Sequence, residues 1–359
     1  MIEIDGSYGE GGGQILRTAL SLSCLFKKPF RIFNIRKGRK KPGLMPQHLT
    51  AVRAAQMISA ADVTGDYAGS AELVFSPGEV KGGDFFFDIG TAGSTSLVLQ
   101  TLIPSLVFLG NPLSVDREES RQEEPHQKTS VTLKGGTHVP FSPSYDYLAG
   151  VFSHFLKEIG IKIEFVIESY GFYPKGGGKI RAYIYPTKDI RSLKILERGR
   201  LLALKGCSGV GNLPLSIAER QKNSMIEKIK SGMDSGYPVE IELLNVPTPG
   251  QGTFTYLQSD FENAVAGFTS LGERGKRAET VGDEVAADFF RYYSTGSALE
   301  PHIADQIVLY LSLSREKSVF STSAISRHLM TNLWVIGLFH TYHYAVEGDV
   351  GSPGKVEIN

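Results

Sequence analysis

The chain reads as an α/β or α+β protein built from repeated supersecondary units, and three observations lead there. Short strand patterns and amphipathic helix patterns alternate along most of its length. A strand that ends in a small-residue turn and runs into a helix occurs at Asp5-Gly6 and again over Asp88 to Ser94. Self-similarity at such a long period marks repeated units. Glycine, at 40 of 359 residues, is abundant enough to supply many tight turns.

In order, a strand is predicted at Met1 to Asp5, a glycine loop at Gly9 to Gly13, and a helix over Gln14 to Phe26. A strand at Phe30 to Ile35, a helix near Gln47 to Ser59 and strands near Ala71 to Phe75 and Asp84 to Ile89 follow. The second unit brings a helix at Thr95 to Phe108, another at about Tyr147 to Ile159 and a strand at Ile161 to Ile167. A third glycine-rich turn spans Gly171 to Gly178. Asp116 to Lys128 is charged and carries no apolar period, so it reads as an exposed, mobile loop. Residues 185–276 carry their own signals at Leu201 to Lys205, Leu215 to Gly232 and Val239 to Leu244, as an inserted small α/β domain would. The rest, 1–184 and 277–359, forms the large domain.

Composition removes several function classes. With 38 basic and 38 acidic residues the net charge is zero, which argues against a long basic groove gripping many phosphates but not against local basic patches. Two cysteines, Cys24 and Cys207, cannot build a disulfide framework or a cysteine-rich zinc site. Cys24 lies in an apolar run and reads as packing. No apolar stretch reaches the roughly 18 residues needed to cross a bilayer. The opening Met1-Ile2-Glu3-Ile4-Asp5 lacks a signal-peptide pattern, so a cytoplasmic chain is expected, with no membrane partner.

The densest chemistry lies in Gly9-Glu10-Gly11-Gly12-Gly13-Gln14-Ile15-Leu16-Arg17. Glycines let backbone approach a phosphate, and the first N–H groups of a helix are unpaired and partly positive. Arg17 can fork onto a phosphate, and Glu10 can hold a divalent metal that screens the same charge. No Gly-Lys-Ser/Thr follows, so this is not a P-loop. Arg36-Lys37-Gly38-Arg39-Lys40-Lys41 sets five basic residues in one turn, either a phosphate contact or a solvated loop. Gln47 and His48 open the next helix, where an imidazole commonly caps or packs. Further on, His328 and Asn332 share a helix face at i, i+4, beside an apolar stripe of Leu329, Leu333 and Ile336. Such a His serves as base, ligand or nucleophile, or packs as a structural residue. His340 and His343 lack acidic partners, which weakens zinc. Asp305 heads an apolar helix, where it either caps that helix, orients an imidazole or binds a cation.

Together these segments resemble the RNA 3′-terminal phosphate cyclase family. The resemblance rests on Asp5-Gly6 with Gly9 to Arg17, Arg36 to Leu44 with Gln47 to Val52, and Gly90 to Gln100. It continues through Gly135-Gly136-Thr137, Gly171 to Gly178, Leu271 to Gly275, Ala304-Asp305-Gln306 and Arg327 to Asn332. It runs in order from residue 1 to about 340. It implies three copies of a two-helix, four-stranded unit and a small α/β insert. It also implies a ligase that turns an RNA 3′-phosphate into a 2′,3′-cyclic phosphodiester, consuming ATP and releasing AMP and pyrophosphate.

In that resemblance His328 is the nucleophile that becomes a histidine–AMP, and Asn332 assists nucleotidyl transfer. Arg17, Arg39 and Asp305 complete the catalytic set. Gln100, Pro143, Tyr147, His302, Ile303, Ala304, Asp305 and Gln306 form the ATP site, with Pro143, Tyr147 and His302 around the adenine. Glu10 touches the metal, Mg or Mn, and Arg17, Arg36, Arg39 and Gln47 meet the RNA end. The implied partners are ATP and RNA with a 3′-terminal phosphate; the oligomeric state stays open, a homodimer included. Residues 116–130 look like an extra segment relative to the family. The competing implication is a non-catalytic cyclase-like protein of ribosome assembly. That branch lacks the nucleophile, whereas this chain has both His328 and Asn332.

Overall fold

The computed structural model describes residues 1–109, 128–233 and 236–359. In the first unit β1 (Ile2–Asp5) passes through the glycine loop into α1 (Gly13–Phe26). Then come β2 (Phe30–Phe33), α2 (Pro46–Ser59), β3 (Asp62–Thr64) and β4 (Leu73–Ser76). The strands lie in the order β1-β2-β4-β3, with β1 and β2 parallel and the other pairings antiparallel. The strand expected to reach Ile35 stops at Phe33 because Asn34 turns to a left-handed φ of 55°, which ends an extended ladder.

The second unit repeats the plan with β5 (Asp84–Asp88), α3 (Thr95–Val107) and β6 (Thr129–Gly135). Short α4 (Tyr145–Tyr147) leads through a wide helical turn over Leu148–Phe152 into α5 (Ser153–Glu158), followed by β7 (Ile163–Ser169) and β8 (Gly178–Ile184). Its order, β5-β6-β8-β7, carries the same parallel and antiparallel pairings. The charged stretch expected as a mobile loop lies, apart from Lys128, outside the described residues.

The third unit starts with β9 (Lys194–Ile195) and is then interrupted. The intervening sheet consists of β10 (Leu201–Gly211), α6 (Leu215–Gly232), β11 (Val239–Asn245), β12 (Gly252–Phe261), β13 (Val265–Leu271) and α7 (Ala278–Tyr293), in the strand order β11-β10-β12-β13. Only afterwards does the third unit resume with α8 (Pro301–Leu311), β14 (Ser318–Thr322), α9 (Arg327–Phe339), β15 (Tyr344–Glu347) and β16 (Gly354–Ile358). Its order β9-β14-β16-β15, with β9 and β14 parallel, matches the first two position for position. The interruption therefore sits inside the crossover between two parallel strands.

Packing follows the apolar pattern. α1 lies against α3 and α9, and Ile15, Leu16, Ala19, Leu20 and Leu22 are all buried there. A helix covered on opposite sides must be apolar around most of its circumference, as this one is. One core cluster runs through all three units. A second, with Leu204, Met225, Ile229, Leu257, Val285 and Phe289, belongs to the interrupting sheet and to α6 and α7. Each such side chain contributes roughly 1.5–3 kcal/mol on burial, so this sheet has a core of its own. Cys24 and Cys207 are both free and buried. No helix among the described residues is long and apolar enough to cross a membrane.

Candidate active site

The first turns of α1, α8 and α9 converge on a cavity of about 840 Å³, within the roughly 300–1,000 Å³ range of small-molecule sites. Its lining includes Gln14, Arg17, Gln100, Pro143, Tyr147, His302, Asp305, Gln306, His328 and Asn332. Local sequence explains why these groups point there. Ser326 caps α9 by accepting from Leu329 N at 2.9 Å, which sets His328 in the first turn and Asn332 one turn on. Gly12 precedes α1 and offers no side-chain cap, so the leading N–H groups of that helix stay available.

Asp305 was expected either to cap α8 or to serve the site. The cap is Glu300 instead, which accepts from His302 N and Ile303 N, each at 2.7 Å, and from the Tyr147 hydroxyl. Asp305 sits within the helix and faces the cavity, where burial pushes its carboxyl up to about 7, partly offset by His302, the Ser326 hydroxyl and Arg17. Its backbone carbonyl accepts from Asn332 Nδ2 at 2.7 Å. Asn332 Oδ1 in turn accepts from Thr18 Oγ1 at 2.8 Å and Gln14 Nε2 at 3.0 Å. Asn332 is thus pinned between α1 and α8. Gln100 Nε2 donates to Gln306 Oε1 at 2.8 Å, joining α3 to α8.

Charge is arranged unevenly. Burial lowers the His328 pKa to about 4, helped by Arg17, His302 and Arg39, so its imidazole is neutral at pH 7. Burial works against a charge on His302, yet Glu300, Asp305 and Asp288 together raise its pKa above the ordinary value. Burial lowers Arg17 to about 10, which leaves it cationic at neutral pH. Arg17 Nη2 donates to Gln14 Oε1 at 2.7 Å. His48 is held neutral by burial, then by Arg17 and Arg36, at about 3. It caps α2 by accepting from Met45 N at 3.1 Å.

The glycine loop closes the other flank. Glu10 pairs with Arg39, whose Nη2 also donates to the Glu10 carbonyl at 3.2 Å. Glu10 Oε2 lies 3.8 Å from His328 Nδ1, and both atoms are buried without a hydrogen-bond partner. No cluster of three or more His, Cys, Asp or Glu able to hold a metal occurs among the described residues. The donor set for a cation is therefore one orphaned carboxylate oxygen plus whatever a substrate brings. That set suits a magnesium-like ion, which is bound through one or two carboxylates and substrate phosphates.

Not every expected residue reaches the cavity. Ile303 and Ala304 are fully buried in the core. Arg36 Nη1 donates to the carbonyls of Lys41 and Gly43 at 2.7 and 3.0 Å, which shapes its own basic loop. Gln47 Oε1 accepts from Ser94 N at 2.9 Å, tying α2 to the head of α3. Conversely, Phe268, Asp288, Arg291 and Tyr292 of the interrupting segment line the cavity. Sequence reading did not find them; Asp288, Arg291 and Tyr292 lie on α7, whose signal was a helical apolar period ahead of α8, while Phe268 lies on β13.

Three like-built units with a cavity where their helices meet define a repeat-based α/β protein with a site of small-molecule size. Comparison with known proteins sharpens that class. The sequence pattern of the family described as RNA 3′-terminal phosphate cyclase matches residues 8–346. RNA 3′-terminal phosphate cyclases are similar along nearly the whole chain. That of Sulfolobus acidocaldarius is 45% identical over 94% of this chain and 95% of its own length. That of Sulfurisphaera tokodaii is 43% identical over 97% of each, and that of Pyrococcus furiosus 39% over 100% and 98%. The chain belongs to the RNA 3′-terminal phosphate cyclase family.

Proposed function

We propose that the chain is an RNA 3′-phosphate cyclase that uses ATP and works through a histidine–AMP. The observation that carries this reading is a neutral His328 facing one cavity with Arg17, Asp305, Gln306 and Asn332, in a chain of this family. Nδ1 of His328 is turned towards Glu10, which leaves Nε2 for attack on the α-phosphorus. A P–N bond forms, the bond to the pyrophosphate oxygen breaks and pyrophosphate departs. The RNA 3′-phosphate then displaces His328 and takes the AMP. Finally the neighbouring 2′-OH attacks the phosphorus of the 3′-phosphate and loses its proton to solvent; the bond from that phosphorus to the oxygen bridging it to AMP breaks, and AMP leaves as the cyclic ester closes. Splitting one hard displacement this way is covalent catalysis, and the last step gains from a nucleophile already held beside its target.

Each residue has a task in this reading. Arg17 stays charged and forks onto phosphate. Asn332, pinned on three sides, presents a fixed amide beside His328. His302 and Pro143 flank the adenine, while Tyr147 contributes a buried ring edge and anchors Glu300. Gln100 and Gln306 supply the polar wall. Glu10 holds the divalent cation, Mg or Mn, which supplies charge neutralisation on the triphosphate. Arg39 and the exposed cations beside it meet the RNA end, and Arg36 and Gln47 hold the loops that present them. Where the sequence suggested an insert at 185–276, we take Leu201–Tyr293 instead, because β9 pairs with β14 in the third sheet and α7 packs on α6 in the second core cluster.

The test is incubation with α-labelled ATP, followed by a denaturing gel and acid or alkali treatment. Labelled protein whose label is lost in acid and kept in alkali is expected, as a phosphoramidate requires. His328→Ala should abolish both labelling and cyclisation while circular dichroism stays native. Normal labelling of that variant would overturn the assignment.

A further inference from the structure

Tyr8 is half exposed although it sits in the loop that carries Glu10. One face of its ring is stacked on Trp334, with centroids 3.9 Å apart and planes 23° from parallel. The exposed half is therefore the opposite face and the rim. Its backbone is fixed on both sides: Tyr8 N donates to Asp5 O at 3.2 Å, and Gly11 N donates to Tyr8 O at 2.9 Å. The loop is further clamped by Arg39 on the side of the basic turn. On the side of α9 the Glu10 amide donates to Thr331 Oγ1 at 3.5 Å. Trp334 lies six residues past His328 on α9, roughly 9 Å along the helix axis at about 1.5 Å per residue.

We infer that the outer face of Tyr8, backed by Trp334, is a stacking platform for a nucleobase at the 3′ end of the RNA. Three properties carry this. A flat ring is fixed by stacking on Trp334 and by the loop's backbone hydrogen bonds while about half of it stays open to solvent. It belongs to the loop that meets the basic turn through Arg39 and the helix of His328 through Thr331, beside the cations assigned above to the RNA end. Single-stranded RNA is commonly gripped by stacking splayed bases on aromatic rings while cations track the backbone. Stacking is indifferent to base identity, so the platform would position an RNA end without selecting its sequence. This inference rests on the cyclase reading, but it concerns RNA engagement rather than histidine–AMP formation.

Trp334 is the single tryptophan of the chain, so its emission reports on the platform directly. Without ATP no turnover occurs, and a short oligoribonucleotide bearing a 3′-phosphate is titrated into the protein while Trp334 emission is followed. A saturable change is expected, much reduced when the bases of the last two nucleotides are replaced by abasic sites. Tyr8→Phe should keep it. Tyr8→Ala should lose it and raise the KM for RNA about tenfold relative to the KM for ATP. No emission change at saturating oligonucleotide, or an unchanged RNA KM in a folded Tyr8→Ala, would overturn the platform. The same change produced by ATP alone would overturn it too, because the ring would then serve the nucleotide. If the wild-type protein fails to label with α-labelled ATP, the cyclase reading falls on its own, separately from these outcomes.

Discussion

Asp305 concentrates the electrostatic tension of the site in one carboxyl. Burial is the leading cause of its raised pKa of about 7, opposed by His302, Ser326 and Arg17. In the unfolded chain the same group titrates near its ordinary 3.8. The folded state therefore holds this proton over a window from about pH 4 to about pH 7 in which the unfolded state has released it. The stabilisation is complete below that window and is lost as pH rises through it. Relative to Asp305→Asn, the wild type should lose stability by more than about 1 kcal/mol between pH 4 and pH 7, since one pKa unit is about 1.4 kcal/mol. Urea denaturation of both proteins at several pH values measures this. A difference between them that stays constant with pH would show that Asp305 does not titrate there. Neighbouring Asn332 escapes such tension, because each end of its amide already has a partner.

Among the elements, the glycine loop and α9 are closely fitted to each other. Gly9 has a φ of +57°, and a Cβ on it would come within 2.5 Å of Thr331 Oγ1. Left-handed backbone costs an L residue roughly 1–2 kcal/mol, before any displacement of α9. Gly9→Ala should therefore lower stability by about 2 kcal/mol and move Glu10 away from His328. Thermal melting together with the divalent-metal dependence of ATP labelling reads both effects. A native melting curve and an unshifted metal titration would mean that the loop accommodates a methyl group. This element was legible early: glycines around a carboxylate and an arginine are visible as letters, and so is the helix period that follows. The bounds of α6 and the start of α3 were equally plain, because amphipathic spacing and small-residue turns are local signals. The contact of Gly9 with Thr331 was not, since 322 positions separate them along the chain and no local pattern encodes such a meeting. The same holds for α7: its residues Asp288 and Arg291 line the cavity beside residues of α1, α3 and α9 that lie far away in sequence.

At the scale of the whole molecule, the interrupting sheet carries a second core cluster, joins the main cluster through residues such as Phe254 and Tyr256, and lines the cavity. Arg198 is one of the residues that tie α7 and this sheet to the segment before them. It donates to the backbone carbonyls of Tyr292 and Tyr293 at the end of α7, and its guanidinium lies about 5 Å from the rings of Phe261, Tyr292 and Tyr293. Charged hydrogen bonds are worth about 1.5–3 kcal/mol each and a cation over a ring about 0.5–1 kcal/mol. Arg198→Ala should accordingly cost about 3 kcal/mol. Hydrogen exchange should show that loss mainly in β10 to α7, with the KM for ATP rising as the wall loosens. Uniform loss of protection across all four sheets would mean that the insert does not open by itself.

Position within the crossover also imposes a timetable on synthesis. β9 emerges early, yet its parallel partner β14 follows more than a hundred residues later, after the whole insert has been made. Closing so long a loop costs more entropy than a hairpin does and slows formation. The first two units can fold while the ribosome is still translating the insert. The contacts of α1 with α9 form last, because Thr18 and Gln14 find Asn332 only once the last unit arrives. His328 travels on that same late helix. On the proposed reading, a partly made chain would carry the glycine loop without His328, and reactivity towards ATP would switch on only when the final sheet locks shut.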